Sequence, residues 1–528
     1  MLRNISRINL LALLLAGLSF TSLRLSHALP DPIILKHQEQ WYTLSQTYAY
    51  GVATGDLDND GMPEIVAAGR YHTGSTSYAG EQERYGQIKI WSWNGTGYAL
   101  RHVLNWTLAG DGNPWWRGIN SITIDDVDSD GTKELITAGY VWEHIPVASW
   151  MGTYECEVGI WNWNGTLFVG ELNQTWQNPT GRVEPNSVFS KDVDNDGQVE
   201  LLTGGLKRDG SVYMSQLRIW NWNGTAMSLE HNEEWATNCT RGVITVFADN
   251  VDQEGLPDIL TGSYGNSTSF DVTKVWNWNG TDLRLMHNEE DPFSQGEYVY
   301  AFAHADADMD GKPELVSFGH AYNGSTWLAS LRMLEWTGMG MALDHHVTWG
   351  NNTRGLDVCI ADVNDDYDNE ILTAAWEYDG LRWNSQLSIY YYEDSNPPSI
   401  GIPVQEPAIN ITTEQEVKVS AEITDNETGI KNATLYYTID NGTTWTPVAM
   451  IYNDTSGLYE AAIPPQALGT YVQYMITAYD NAENQATEDN AGEYYVYGVI
   501  PEYPILMLLI FTAITATTAI LVKTRRKP

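Results

Sequence analysis

One short acidic pattern recurs six times in register, and no other feature of the chain restricts its fold as strongly. Asp56, Asp58 and Asp60 lead through Gly61 to Glu64. Asp126, Asp128 and Asp130 lead to Glu134, and Asp192, Asp194 and Asp196 lead to Glu200. The fourth copy is Asn250, Asp252, Glu254 and Asp258, and the fifth is Asp306, Asp308, Asp310 and Glu314. The sixth is Asp362, Asn364, Asp366 and Glu370. A period of roughly sixty residues implies stacked supersecondary units, none of which buries its apolar face alone.

Each unit reads as four short strands. In the third, residues 187–191 enter the acidic loop and 199–203 leave it. Residues 216–222 form the next run, with Trp220 and Trp222 on one face at period two. Asn223-Gly224 is a hairpin turn signal, and 227–235 return. The same Trp-x-Trp-Asn-Gly-Thr turn starts at Trp91, Trp161 and Trp276. A four-stranded unit repeated radially is a propeller blade.

Closure is also written in the chain. Fourth strands share Leu-x-His-x-x-x-Trp: Leu100, His102, Trp106; Leu229, His231, Trp235; Leu343, His345, Trp349. Leu285 and His287 keep the first half of the pattern, and the second unit keeps only Trp176. The last unit stops after its third run, 386–392, and the missing strand stands near the start of the chain as Leu35, His37 and Trp41. The expected fold is therefore all-β: a six-bladed β-propeller sealed by the N-terminal strand, with no free sheet edge at the join.

On these residues, 33–395 resemble the FG-GAP/VCBS repeat family, the calcium-loop propellers that include the integrin α-chain head. The Phe-Gly and Gly-Ala-Pro elements that name the family are largely absent here. Integrin heads have seven blades, so integrin-like partner contacts do not transfer.

The loops have the chemistry of a calcium site. Calcium takes six to eight oxygens at about 2.3–2.6 Å. Carboxylates at loop positions 1, 3 and 5 can converge if the chain curls tightly, and glycine at position 6 allows the curl. A carbonyl near position 7 and the acid at position 9 complete the shell. Up to six Ca²⁺ sites are expected. The fourth is degraded by Asn250 and Glu254, and the sixth, with Asn364 and with Tyr367 in place of glycine, is expected to be weakest or empty.

Strand alternation places the acidic loops and Asn-Gly turns on one face of the ring. The irregular segments 70–87, 110–118 and 140–157 belong to the other, the usual place for function on a rigid scaffold. The candidate ligand residues of that face are Trp115, Trp116, Arg117, Trp142, Arg182, Arg241 and Arg354. Aromatic rings there can stack on sugars, and arginines can hold a carboxylated or sulfated group. The same arginines also suit bonds to neighbouring carbonyls or acids. No Gly-x-Ser-x-Gly, His-Glu-x-x-His or phosphate-binding glycine loop is present, so no catalytic residues and no enzyme are expected.

The ends place the body outside a cell. Arg3 and Arg7 precede an apolar run and Ser26-His27-Ala28, which reads as a signal peptide, residues 1–28. Residues 504–522 read as a transmembrane helix and 523–528 as a basic cytoplasmic tail. Ile500-Pro501-Glu502-Tyr503-Pro504 resembles the sorting tails of archaeal surface proteins. About fifteen Asn-x-Ser/Thr sequons suit a glycosylated outer surface. The net charge of −40 argues against a nucleic-acid partner. Cys156, Cys239 and Cys359 are too few for a disulfide scaffold.

The propeller is assigned to 29–395. Residues 396–499 resemble immunoglobulin-like or fibronectin-III-like modules, with 417–423, 433–439, 459–463 and 471–479 as strands of a β-sandwich. Turns at Asp425-Asn-Glu-Thr-Gly429 and Asp480-Asn-Ala482 fit that resemblance. The whole reads as a single-pass cell-surface protein for adhesion, meeting an extracellular glycan or surface protein. The alternatives are a lyase-like polysaccharide-degrading enzyme and a structural surface-layer component.

Overall fold

The computed structural model describes residues 33–76, 82–106, 116–143, 153–178, 181–236, 242–263, 272–290, 297–336, 341–366, 368–394, 396–425 and 428–501. The signal, span and tail read at the two ends lie outside these residues. Every regular element among those described is a strand, and none is a helix long and apolar enough to cross a membrane.

Six four-stranded antiparallel sheets form a six-bladed β-propeller. Blade one is Gln46–Gly55, Glu64–Thr76, Gln82–Trp93 and Tyr98–Trp106. Blade two is Trp116–Asp125, Glu134–Glu143, Thr153–Trp163 and Phe168–Trp176. Blade three is Gly181–Lys191, Glu200–Asp209, Val212–Trp222 and Met227–Ala236. Blade four is Val243–Asp249, Asp258–Ser263, Val272–Trp278 and Leu283–Glu290. Blade five is Glu297–Ala305, Glu314–Tyr322, Trp327–Trp336 and Met341–Trp349. Blade six takes Thr353–Ala361, Glu370–Tyr378 and Trp383–Tyr392 from late in the chain, and Ile33–Trp41 from its start.

The closing strand pairs in register from Ile33 opposite Tyr392 to Trp41 opposite Ser385. Ile33 is fully buried among Phe318, Val347, Tyr390 and Tyr392. Its pairing slips by one residue between Leu35 and His37, so Lys36 is a β-bulge. The same slip sits opposite the Trp-x-Trp turn in blades one to four, where Arg101, Glu171, Glu230 and Met286 are the extra residues. In blade five it is Asp344. The central residue of Leu-x-His is thus the bulge.

The repeated aromatics hold one blade to the next. In blades two, three and four the first tryptophan of each turn donates its indole N–H to a buried threonine of the second strand. Trp161 reaches Thr137, Trp220 reaches Thr203 and Trp276 reaches Thr261, each at 3.0 Å. The second tryptophan meets the histidine of the preceding blade: His102 with Trp163 at 4.9 Å between ring centroids, His231 with Trp278 at 5.2 Å. His37 of the closing strand meets Tyr98 of blade one in the same way. Apolar faces are covered by neighbours: Ile136, Val158 and Ile160 of blade two pack on Val188, Leu201 and Trp220 of blade three.

Two expectations need correction. The segments 70–87 and 140–157 are not irregular throughout, because the second and third strands of blades one and two run far into them. Cross-strand pairs such as Tyr71 opposite Tyr85 extend the hairpin past the blade body.

The second compact unit comprises Asp308–Gly311 and the chain from Asp394 onward. Instead of two separate layers of seven strands, it has one continuous eight-stranded sheet, with a small separate pair, Ser399–Ile400 and Ile423–Thr424. The cause is Thr446–Asn453. Its first half pairs with Ile430–Thr438 and its last three residues pair with Leu458–Ile463, joining what would be two sheets. Alternate residues of the sheet, including Val417, Val419, Leu435, Val472 and Ile476, form one core.

Candidate metal loops and channel mouth

The acidic loops curl as the glycine position requires. Gly61, Gly131 and Gly197 have φ of 95°, 92° and 91°, a region closed to most side chains. The residue two places earlier, Asn59, Ser129 or Asn195, is also left-handed at about 60°. The curl brings oxygens of Asp56, Asp58 and Glu64 within 4.8 Å of one another, and does the same for Asp126, Asp128 and Glu134 and for Asp192, Asp194 and Glu200. Asp306, Asp308 and Glu314 also gather. Oxygens no farther apart than this can share one ion at calcium–oxygen distances of about 2.3–2.6 Å, and every donor is a hard oxygen. The residues fit the ion.

The position-9 glutamate is the buried anchor. One oxygen of Glu64, Glu134 or Glu200 accepts the position-2 backbone N–H of Leu57, Val127 or Val193, at 3.0, 3.2 and 2.9 Å. Burial pushes these carboxyls up, to about 7 for Glu64 and about 8 for Glu134 and Glu200. The backbone bond opposes the rise, and nearby aspartates add to it. Bringing such groups together without a cation is unfavourable, and a divalent ion at the meeting point reverses the balance.

Position 5 departs from expectation. Asp60, Asp130 and Asp196 are not among the converging oxygens. Each turns back to accept a backbone N–H two residues on, from Met62, Thr132 and Gln198. That Oδ1 in each case caps the turn, as oxygens of Asp56 and Asp58 also do for Asp60 and Gly61.

Loops four and six do not bring three carboxylates together among the described residues. In loop four, Asn277 donates to Asp258 at 3.1 Å. In loop six, Lys36, the bulge residue of the closing strand, donates to Glu370 at 2.6 Å and lies 3.5 Å from Asp366. Asn364 also donates to Glu370. An ammonium therefore stands where the other loops gather acids. Burial works against the Lys36 charge, but the bond and charge of Glu370, with Asp366, leave its pKa raised. At Glu370, which is fully buried, burial outweighs the lysine and the carboxyl is raised too. Lys36→Ala should open this loop to metal. Its calcium-induced gain in melting temperature should exceed that of the native chain by roughly 2–4 °C. Equal gains in parallel thermal melts would show that the lysine does not stand in for an ion.

At the ring centre lies a cavity of about 900 Å³. Each first strand carries one bulge, and the extra residues are Tyr50, Asn120, Asn186, Ile244, Tyr300 and Leu356. All six line the cavity. Asn120 and Asn186 also donate to Pro185 O and Val243 O of the following blade. Sequence reading missed this ring, because a one-residue slip leaves no compositional trace.

One mouth of the cavity is basic and aromatic. Arg354 lies between the rings of Trp327 and Trp383, at 5.2 and 5.4 Å, and its buried Nε has no hydrogen-bond partner. Arg70 sits over Tyr50 at 4.5 Å and donates to the hydroxyls of Tyr50 and Tyr140. Trp376 meets Tyr48 and Tyr50 edge-on at 4.7 and 4.8 Å. Arg182 lines the same cavity and is ion-paired with Glu184. Of the other predicted ligand residues, Trp115 and Arg241 lie outside the described residues. Trp116, Arg117 and Trp142 are placed by backbone, with Trp116 opposite Trp142. Toward the other end, Asp249 accepts from Lys191 at 2.7 Å and contacts His304 at 2.9 Å, and its carboxyl is held down to about 2. Burial opposes that shift, but the bonds from His304 and Lys191 prevail.

Asp357 is the unusual wall residue. It follows its strand's bulge, where blades two and three have Ser121 and Ser187. Those serines accept from Val188 and Val246 of the next blade, at 3.1 and 3.0 Å. Asp357 does the same across the ring closure, accepting from Val52 at 2.9 Å, and it also accepts from Val358. Burial pushes its carboxyl up to about 7 against these two bonds. An unfolded aspartate titrates near 3.9. Between those values the native state holds the extra proton, so this group's contribution is complete below about 4 and is lost as pH rises through about 7. The slope approaches about 1.4 kcal/mol per pH unit. Asp357→Ser should remove this share, leaving that of the raised loop glutamates, so stability should fall less steeply between pH 4 and 7 in denaturant titrations; an unchanged slope would contradict this assignment.

No family model matches the sequence, and no curated protein matches it. Solved structures do. An exo-β-1,3-galactanase of Phanerochaete chrysosporium aligns at 9% identity over 87% of this chain and 98% of its own, with a TM-score of 0.36. A rhamnogalacturonan lyase of Bacillus licheniformis aligns at 11% identity over 88% and 92%, with a TM-score of 0.28. Sqt1 of Chaetomium thermophilum aligns at 10% identity over 66% and 97%, with a TM-score of 0.32. Likenesses at this level carry no argument about what the chain does.

Proposed function

We propose that this chain is a calcium-stabilised propeller of the cell surface, secreted and anchored through its ends, that binds an acidic glycan in the mouth of its central cavity. One observation carries the reading: Arg354, stacked between two indoles at the cavity wall with its Nε unbonded. Such a guanidinium can donate to a carboxylate or sulfate while the surrounding rings take the sugar faces. Arg70, braced by Tyr50 and Tyr140, adds a second positive group. Calcium has a structural role, fixing the loops and hence the blades.

The test is binding of the purified chain to acidic and neutral polysaccharides. Acidic chains should bind, and Arg354→Ala should weaken them at least tenfold, about 1.4 kcal/mol. Equal retention of neutral and acidic chains would refute the site. A second reading, a polysaccharide-degrading enzyme, is supported by Asp357 alone. A cavity carboxyl titrating at about 7 suits a general acid. New reducing or unsaturated ends in the same experiment, lost in Asp357→Ser, would favour it over simple binding.

A further inference from the structure

The second unit carries an acidic cluster made of residues outside the six acidic loops. Oxygens of Asp394, Asp425 and Asp480 lie within 4.8 Å of one another. Asp394 stands at the start of the unit, Asp425 precedes the turn at Thr428–Gly429, and Asp480 ends the strand Tyr471–Asp480. These positions are far apart in sequence, so the fold alone brings the carboxylates together.

Acidic groups at turns often serve only the backbone, and part of that role is visible here. Asp425 Oδ1 accepts the N–H groups of Thr428 and Gly429, at 2.9 and 3.2 Å. Asp394 accepts from Asn396 N–H at 2.7 Å and from the Thr428 hydroxyl at 2.8 Å. Asp480 Oδ1 accepts from Asn484 N–H at 2.7 Å. Asp480 Oδ2 has no such partner. It is buried, its residue is fully inaccessible, and no hydrogen bond reaches it. With Oδ1 turned to Asn484, Oδ2 is the oxygen left for the cluster.

An unbonded carboxylate oxygen buried beside two other carboxylates is unfavourable unless a cation or a proton neutralises it. Neither Asp394 nor Asp480 is ion-paired with a lysine or arginine among the described residues. Three hard oxygen donors with no nitrogen or sulfur select a hard divalent ion, and oxygens this close together can share one calcium. We propose that Asp394, Asp425 and Asp480 form a calcium site of the second unit, built from residues that none of the six acidic loops contains. The ion ties Asp394 to Asp425, which holds the Thr428 and Gly429 N–H groups, and to the 480–484 turn.

Hydrogen exchange on the whole chain, stripped with chelator and then given about 5 mM calcium, tests this directly. That concentration saturates a site of extracellular type. Peptides spanning 428–432 and 478–486 should exchange at least threefold more slowly with calcium. In Asp480→Asn and Asp425→Asn that protection should vanish, while the response of the propeller loops persists. Asparagine at 480 keeps the Asn484 bond and removes a negative charge, so the variant should fold without metal. If both turns in the native chain exchange equally with and without calcium, the site is refuted, whatever the propeller loops do. Protection that survives in both variants would refute it too.

Discussion

Stripping calcium from the folded chain should lower its melting temperature by on the order of 10 °C. Four propeller loops gather three carboxylates each. An ion at ten times its dissociation constant stabilises by about 1.4 kcal/mol per site, so four sites give on the order of 5 kcal/mol. In a protein of this size each kcal/mol moves the melting point by about 2 °C. The effect should be specific. Magnesium demands a tighter octahedron and keeps its water, so it should restore little of the loss. Glu200→Gln removes a buried anchor, and with it one share of the calcium response. If melting is the same with calcium and with chelator, the loops are turns and not sites.

The closing strand should matter even more. A chain lacking residues 33–41 leaves Trp383–Tyr392 as an open edge and uncovers Tyr390 and Tyr392. It also releases Lys36 from Glu370. We expect the cooperative thermal transition to be lost and aggregation to follow from the free edge. A synthetic peptide of residues 30–43 should restore the transition. The point variant Ile33→Ala should cost about 3 kcal/mol, since Ile33 is fully buried between two blades. A truncated chain that melts as the native one does would mean that the ring does not depend on its N-terminal strand.

The order of blades, the closure and the turn positions were legible because they repeat. Asp-x-Asp-x-Asp-Gly, Trp-x-Trp-Asn-Gly-Thr and Leu-x-His each recur at equivalent places, and repetition separates signal from local propensity. What did not repeat was not legible. Bulges at Lys36 and Tyr50 change register without changing composition. The contact from Lys36 to Glu370 joins the two ends of the propeller sequence. The turn-capping bond from position 5 to the backbone N–H two residues ahead was not legible either, because residue type alone does not show it. In the second unit the strand Thr446–Asn453 escaped notice because Ile451 and Tyr452 are exposed side by side, which breaks the alternation expected of a half-buried strand. The surroundings of the predicted arginines were not legible. Arg354 has its unbonded nitrogen, whereas Arg182 is taken by Glu184.

Equilibrium dialysis of the chelator-stripped chain against millimolar calcium bears most directly on this account. It should find at least four ions per chain, and Glu64→Gln, Glu134→Gln, Glu200→Gln and Glu314→Gln should each remove one. A folded chain that retains no calcium at that concentration would contradict it.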